Sequence, residues 1–348
     1  MTPKTFAVRL LALVAAVSPA FAQSDKVHLA NGTVVDDVRV TKFGISSIEY
    51  KKGSSTESAM SDQVVKVELG KFDDTYARGL RDPGLMLTLA REQKKSKNDV
   101  MAQLGFVHAA RGFFDNGQDA EAVAALNELE KAYPEGGAVP DVYRLKFEFY
   151  MSLGPKKGGA SAITVAKKFE STAVSNAWPN GFATEAVFLR ALAEQTDAAA
   201  YQKKLRDVIS RARGSSPVVH SRASVELGHS LRKADKASEA KRLYEDVAKR
   251  DNVDENALAG AYLGLGHLAL AEAGADKEKA KQALLSFLRV RLETENSWPG
   301  LQAEALYQSM QAAAKWQGPE YRTVIGRCRG TLLADFPNSE WAELLRQR

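Results

Sequence analysis

The chain has 348 residues, of which 45% are hydrophobic and 26% are charged, and its formal net charge is +5 at pH 7. Acidic and basic residues are interspersed along it, as on an ordinary solvated surface, so the composition does not favour a nucleic-acid partner. The single cysteine, Cys328, excludes an intrachain disulfide.

Residues 1–22 have the three parts of a secretory signal peptide. A basic N-terminal region precedes an uncharged run from Leu10 to Val17, and Ala20 and Ala22 supply the small residues of an A-x-A cleavage site. The apolar run is shorter than the roughly 20 residues that a membrane span requires. We therefore expect a mature chain that begins at Gln23, has no integral membrane segment and is periplasmic or secreted. Because no cysteine stands at the cleavage point, we expect no lipid anchor.

Residues 23–71 predict a small β module of five short strands. Its first turn contains Asn31-Gly32, and we expect a type I′ hairpin there because both central residues of that turn need positive φ. The residues between 27 and 69 follow the order V-x-L-x-N-G, V-x-V, I-x-x-I-x-Y and V-x-V-x-L. This order resembles the small Sm-like and SH3-like β-barrels. The resemblance implies a barrel-like fold without an RNA site, because the loop residues that hold RNA in Sm proteins are not recognisable here.

From residue 73 onward the hydrophobic period changes from two to between three and four, which predicts helices. We expect residues 72–97 to form a linker of one or two short helices, and residues 98–348 to form a helical repeat domain. Within that domain, Ser339 to Gln347 predict a capping helix, because the last repeat of an array has an apolar face that must be covered.

A recurring pattern of small and large apolar residues indicates which repeat this is. The segment from Gly117 to Ala122, followed by Leu126 and Tyr133-Pro134, is similar to the second helix of a tetratricopeptide repeat (TPR). Gly228 and Ala240 repeat the pattern with the family's spacing of twelve residues, and a small residue at Gly228 would let a neighbouring helix approach closely. The resemblance implies a right-handed α-solenoid of about six TPR-like helix pairs, placed at residues 98–134, 140–175, 181–213, 216–250, 255–294 and 300–335.

An aromatic residue followed by proline recurs four times, each time just before a predicted helix. Proline suits the first turn of a helix, where its missing N–H would be unpaired anyway. The segments around two of these marks, Trp178-Pro179 and Trp298-Pro299, also look alike over the residues that follow. We interpret the likeness as internal duplication.

No catalytic constellation is recognisable, and no motif for a cofactor or metal is present. His229 and His267 each follow a repeat glycine and could meet on successive first helices to bind a metal. We favour polar surface positions for both, because no carboxylate or cysteine accompanies them. The sequence therefore predicts a protein that is not an enzyme and uses no cofactor.

Tetratricopeptide proteins hold peptides or helices in the concave groove that their first helices line, so the resemblance implies an exported protein–protein interaction scaffold or adaptor. The groove positions are polar and mildly basic, which favours an acidic protein or peptide partner. Two of these positions, Arg222 and Arg232, are expected to be exposed, so reversing their charge should weaken binding and leave the unfolding transition nearly unchanged. The positions that fall in the groove are Arg111, Arg222, His229, Arg232, His267, Gln308 and Gln311.

Two alternatives stay open. The β module could recruit the partner, with the helical array serving only as a spacer. The chain could instead be a cell-envelope enzyme or carbohydrate-binding factor built on a helical solenoid. Such an enzyme needs a carboxyl group with a raised pKa in a cleft, and the sequence marks out no such glutamate.

Overall fold

A computed structural model of the protein describes residues 24–154, 156–195, 197–250, 253–295, 297–337 and 339–347. The signal peptide predicted for residues 1–22 lies outside these ranges. The described residues form 15 α-helices and one five-stranded antiparallel sheet, which lies near the N-terminus. The prediction of a mainly helical chain with a small N-terminal β module is therefore confirmed.

The strands of the β module are β1 (Asp25–Leu29), β2 (Val34–Phe43), β3 (Ser47–Lys52), β4 (Ser55–Met60) and β5 (Val64–Glu68), with a 3₁₀ turn at Ser61–Gln63 between the last two. They form an open sheet in the order β4-β3-β2-β1-β5. The long strand β2 is shared, because its first half pairs with β1 and its second half with β3. Val27, Val38, Ile48 and Tyr50 form the buried core of the sheet, and Val100 of the helical region packs against them.

The β1–β2 connection differs from the predicted type I′ turn. Four residues connect the two strands, and Gly32 alone among them has a positive φ, of 84°. The Asn31 side chain instead accepts a hydrogen bond from the Thr33 amide at 3.0 Å. Asparagine side chains can close a local turn in this way, which gives the backbone an alternative to the two-residue turn.

The helices are, in chain order, α1 (Phe72–Tyr76), α2 (Pro83–Lys95), α3 (Asp99–Asp115), α4 (Asp119–Ala132), α5 (Val139–Ser152), α6 (Gly159–Ser175), α7 (Asn180–Ala193), α8 (Ala198–Ala212), α9 (Pro217–Lys233), α10 (Ala237–Ala248), α11 (Glu255–Ala273), α12 (Lys277–Glu293), α13 (Pro299–Trp316), α14 (Tyr321–Asp335) and α15 (Glu340–Arg346). We call α3, α5, α7, α9, α11 and α13 the first helices, and α4, α6, α8, α10, α12 and α14 the second helices. Each first helix and the second helix after it fall within one of the six intervals predicted for helix pairs. The exceptions are the starts of α5, α7 and α13, which begin one residue before their intervals.

Every helix from α2 onward packs against the next helix in the chain. The first helices also contact one another in order, α3 with α5, α5 with α7, and so on to α13. The six first helices therefore lie side by side and present one continuous surface, which we call the first-helix face. Within the described ranges, no helix is both long enough and apolar enough to span a membrane.

Small residues on the first helices admit large side chains from the second helices. The ring of Tyr244, from α10, is completely buried between α9 and α11. A Cβ added at Gly228 of α9 would lie 2.6 Å from this ring, and one added at Gly264 of α11 would also overlap it. Gly266 leaves room for the buried ring of Phe287 in the same way. Glycine is needed at these positions because the ring occupies the space of a methyl group.

The short helix α15 packs against the last pair. The rings of Trp341 and Tyr307 lie 5.3 Å apart, and Leu345 joins the same apolar cluster around the buried Leu332. Leu344 is more exposed than these residues, at 42%. Trp341 and Leu345 therefore cover apolar surface at the end of the array, as a capping helix should.

The β module is packed onto the helices through the turn between β2 and β3. The carbonyl of Phe43 accepts hydrogen bonds from the Gly137 amide (2.9 Å) and the Gln103 side chain (3.1 Å). The Ile45 amide donates to the carbonyl of Glu135 (2.8 Å), and Ile45 itself is buried in the helical core. These contacts fix the sheet against α3 and the loop before α5.

A second set of contacts comes from the 3₁₀ turn. The Gln63 side chain donates to the carbonyl of Ser215, just before α9, at 2.5 Å. Asp62 Oδ2 accepts a hydrogen bond from the Gly181 amide in the first turn of α7 at 2.9 Å. A carboxylate is favourable there, because the amides of a first helical turn lack intrahelical partners. The β module thus spans the array from α3 to α9.

Candidate binding site on the first-helix face

A cavity of about 410 Å³ lies between the β module and the first-helix face. Asp62 and residues 64–66 of the β module form one wall. The opposite wall is formed by residues of α3, α5, α7, α9 and α11, beginning with Arg111 on α3. Trp298, the residue just before α13, completes it. A larger depression, of about 490 Å³, involves only α8 to α10 and their connections. The smaller cavity is therefore the one that gathers side chains from the whole array.

Arg144 of α5 is held in the cavity wall by two carboxylates. Its Nε and Nη2 donate to Glu185 at 2.8 and 2.6 Å, and its Nη1 donates to Asp141 at 2.8 Å. Its guanidinium also lies 5.8 Å from the centre of the Phe182 ring. Burial alone would lower the pKa of Arg144, but the two carboxylates outweigh burial and raise it. The charge of Arg144 is therefore neutralised within the protein.

Arg222 of α9 is neutralised in a similar way. Its Nε and Nη2 both donate to the carboxylate of Asp254 at 2.9 Å, and its guanidinium lies 5.4 Å from the centre of the Trp298 ring. Asp254 also accepts a hydrogen bond from the Ala257 amide in the first turn of α11 (3.0 Å). The side chains of Arg222 and Asp254 are only 22% and 7% exposed. The expectation that Arg222 is an exposed groove charge is therefore wrong, because the arginine joins two first helices in a bidentate pair.

Three other charged groups in the cavity have no such partner. Glu148, half-buried on α5, makes no hydrogen bond or ion pair with the described residues, and neither does Arg111 on α3. Burial raises the pKa of Glu148, and the nearby Arg111 partly opposes that rise. Asp62 Oδ1 is buried and has no hydrogen-bond partner, although Oδ2 of the same carboxylate contacts Gly181.

His108 stands beside Arg111 at the α3 side of the cavity. Its ring packs against Phe72 with 4.6 Å between the ring centres. Burial lowers the pKa of His108, and the positive charge of Arg111 lowers it further. The imidazole is therefore favoured in its neutral form, which leaves Arg111 as the charged group at this end.

Of the seven predicted groove positions, Arg111 and Arg222 line the cavity and the other five do not. His229 Nδ1 is 2.7 Å from the hydroxyl of Tyr244, and burial lowers the pKa of His229 to about 3. His267 Nε2 lies 2.7 Å from a carboxylate oxygen of Glu304. Both histidines thus have partners within the protein. Among the described residues, no group of three or more histidine, cysteine, aspartate or glutamate side chains could hold a metal ion.

The remaining predicted positions lie on two helices beyond the β module. Arg232 stands near the end of α9, where it is half-buried and hydrogen bonds to the side chain of Tyr244, although its Nε is buried without a partner. The expectation that Arg232 is an exposed groove charge is therefore wrong as well. Gln308 and Gln311 lie on α13 and are half-buried. The structure therefore divides the predicted groove into a part that the β module covers, with Arg111 and Arg222, and a part that it does not.

Sequence reasoning missed Asp62 and Glu148. The second of these could have been found, because Asp141, Arg144 and Glu148 are spaced by three and seven residues, which places them on one side of a helix. Asp62 carries no such pattern. Its position in the cavity depends on how the β module packs against the array, which no local spacing reveals.

Comparison with known protein families found none that matches the chain, and comparison with curated proteins found no significant match. The functional conclusions below therefore rest on the geometry of the first-helix face and its cavity.

Proposed function

We propose that the protein is an exported scaffold that binds a protein or peptide along the first-helix face. The observation that supports this most directly is the cavity to which five of the six first helices contribute, together with Trp298 just before the sixth. A surface built from successive repeats can follow an extended ligand, because each repeat adds one set of side chains to it. That the protein is exported is proposed from the A-x-A cleavage site at Ala20 to Ala22.

The helix pairs are proposed to be TPR-like repeats stacked as a right-handed solenoid. Two features support this: the six consecutive pairs, and the glycines that admit Tyr244 and Phe287 between neighbouring helices. The β module is proposed to be related to small Sm-like or SH3-like barrels, with β5 pairing back onto β1 so that only the β4 and β5 edges stay unpaired.

The contacts of the groove residues change the charge that is expected of the partner. An acidic ligand was expected from the basic groove positions, but Arg222 pairs with Asp254 and His229 is held neutral. Arg111 is exposed in the cavity, and the carboxyl group of Glu148 is half-buried near it. We therefore propose a partner that presents groups of both signs to this face.

Photo-crosslinking tests the scaffold proposal. A photoreactive amino acid is placed at Gln308 on the first-helix face, and in a control at Arg242, which is exposed on the second helix α10. We expect irradiation of cells to give a defined protein adduct from position 308 and not from position 242. Adducts of equal yield from both positions, or none from position 308, would contradict the proposal.

A second candidate is a cell-envelope enzyme or carbohydrate-binding factor. The specific observation that favours it is Glu148, a half-buried cavity carboxyl group whose pKa is raised by burial. A carboxyl group of this kind can act as a general acid near neutral pH. Release of soluble fragments from purified cell wall, abolished by Glu148→Gln, would support the enzyme. No release by the unmodified protein would leave the scaffold as the better proposal.

A further inference from the structure

The last strand of the β module, β5, has a free edge, and the cavity lies along it. Val64 and Val67 of β5 pack toward the core of the sheet. Lys66, which pairs with His28 of β1, lies on the opposite face of the strand, because successive side chains of a strand point to opposite faces. Val64 and Lys66 nevertheless line the same cavity. A space that side chains from both faces of a strand can reach borders the edge of that strand.

Along this edge the backbone of β5 is unpaired within the described part of the chain. Its backbone hydrogen bonds go to β1, apart from the Val64 amide, which donates to the carbonyl of Ser61. The N–H and C=O groups of a strand alternate in direction, so those of every second residue point away from β1. Unpaired groups in such a row are a template for a further strand.

Two exposed apolar side chains border the same space. A bulge in β5 places Val65 between the residues that pair with Leu29 and His28, and Val65 is 49% exposed. Trp298, in the opposite wall, is 41% exposed. Apolar side chains left exposed together in a concave surface are typical of interaction sites.

The strand crosses three first helices. Just before β5, Asp62 accepts a hydrogen bond from Gly181 of α7, and just after it the ring of Phe72 packs on His108 of α3. A strand of five residues extends about 17 Å. Three neighbouring helices at the usual spacing extend over roughly 16–20 Å. A strand added to β5 would therefore pass α3, α5 and α7 in turn, along the direction of the array.

The surroundings of the edge select one kind of occupant. A cavity of about 410 Å³ closed by the first-helix face is too small for the sheet of a second copy, whereas a single extended segment can enter it. Arg144 and Arg222 are paired with carboxylates inside the wall, so both leave little charge to oppose a neutral backbone. The exposed Arg111 and the half-buried Glu148 can meet side chains of the segment, in keeping with a partner that presents both signs.

We propose that an extended segment of a partner protein binds in this cavity as an added strand on β5, with apolar side chains against Val65 and Trp298. The segment continues the ladder that joins β5 to β1. Main-chain hydrogen bonds supply the affinity in this mode of recognition, so segments of many sequences can bind. The inference deepens the scaffold proposal and rests on it, because it names the kind of segment that the first-helix face holds.

Peptide display followed by backbone methylation tests the added strand. Random ten-residue peptides on phage are selected against the full chain from Gln23 onward, and the tightest is resynthesised with one N-methyl group at each position in turn. Every second N–H of an added strand points toward β5. Methylation should therefore weaken binding about tenfold or more at alternate positions of a five-residue stretch, and less than about threefold between them. Selection of no peptide would overturn the proposal, and so would losses that do not alternate.

Two valine variants test whether the peptide lies on β5. Lysine on an exposed edge discourages strand addition, so Val65→Lys should weaken binding of the selected peptide about tenfold or more. Val34→Lys is the matched control, because Val34 of β2 is 47% exposed and lies outside the cavity. The control should change the affinity less than about twofold. Equal effects of the two variants, whether large or small, would refute the placement on β5.

The crosslink from position 308 separates this inference from the scaffold proposal. An adduct from position 308, together with a peptide whose methylation losses do not alternate, would retain the scaffold and reject the added strand. Absence of the adduct would reject the scaffold, whatever the peptide shows.

Discussion

The substitution Gly228→Ala adds one methyl group to α9 at its contact with α10. The new Cβ would lie 2.6, 2.9 and 3.1 Å from three atoms of the Tyr244 ring, well inside van der Waals contact. The ring cannot retreat, because Gly264 of α11 is in close contact with it too and its hydroxyl is 2.7 Å from His229. We therefore expect the overpacking cost to reach the upper end of the usual range, about 3 kcal/mol.

Alanine also favours the helix over glycine by about 1 kcal/mol, so the net destabilisation by Gly228→Ala should be about 2 kcal/mol. The chain contains its own control. Gly326 lies in α14, where an added Cβ would meet no atom within 4 Å, so Gly326→Ala should stabilise by about 1 kcal/mol. The two variants receive the same methyl group in a helix, and only the packing around it differs.

Urea unfolding followed by circular dichroism measures both variants, and the midpoints should move in opposite directions. A double-mutant cycle strengthens the test, because Tyr244→Leu shortens the opposing side chain. In that background Gly228→Ala should become neutral or stabilising. Midpoints that move in the same direction for Gly228→Ala and Gly326→Ala would refute the idea that Gly228 lies at a helix–helix contact.

Three further outcomes follow from the same structure. Arg222→Ala should lower the free energy of unfolding by about 3 kcal/mol, because it leaves a buried aspartate unpaired, and a change under about 0.5 kcal/mol would contradict the buried pair. Gly181→Ala should increase hydrogen exchange in the β module, since its Cβ would come 2.7 Å from Asp62, whereas Gly300→Ala, in the first turn of α13 with open space around it, should not. The depressed pKa of His229 predicts stability that is present above pH 6.5 and is lost as the pH falls toward 3, because only the unfolded chain takes up the proton. His229→Gln should therefore lose less stability between pH 7 and 4 in urea unfolding, and an unchanged pH dependence would contradict this.

The helical architecture could be predicted well because it depends on local patterns. Glycine at position 228 and proline after Trp178 and Trp298 act on helix packing and helix starts within a few residues of themselves. The predicted helix pairs consequently agree with α3 to α14. The turn at Asn31 was predicted less well, because two local arrangements compete there and the side chain of asparagine decides between them.

The charges of the site could not be predicted because each depends on a residue that is distant in the sequence. Arg222 looks like an exposed groove residue until Asp254, 32 residues later, is placed beside it at the start of the next first helix. Glu148 looks like an ordinary helix residue until the fold places it, half-buried, in a cavity that residues of the β module also line. Helical spacing shows which residues share a face, but it does not show which of them already have a partner.

The position of the β module also changes the choice between the module and the groove as the binding surface. Phe43, Ile45 and Asp62, which a free module would offer to a partner, are used in contacts with the helices. The module in turn supplies one wall of the cavity on the first-helix face. A ligand in that cavity must therefore contact both parts, so the module and the face cannot be independent alternatives there. The two remain separable outside the cavity, as at Gln308 and Gln311 on α13, and the crosslink from position 308 examines that end directly.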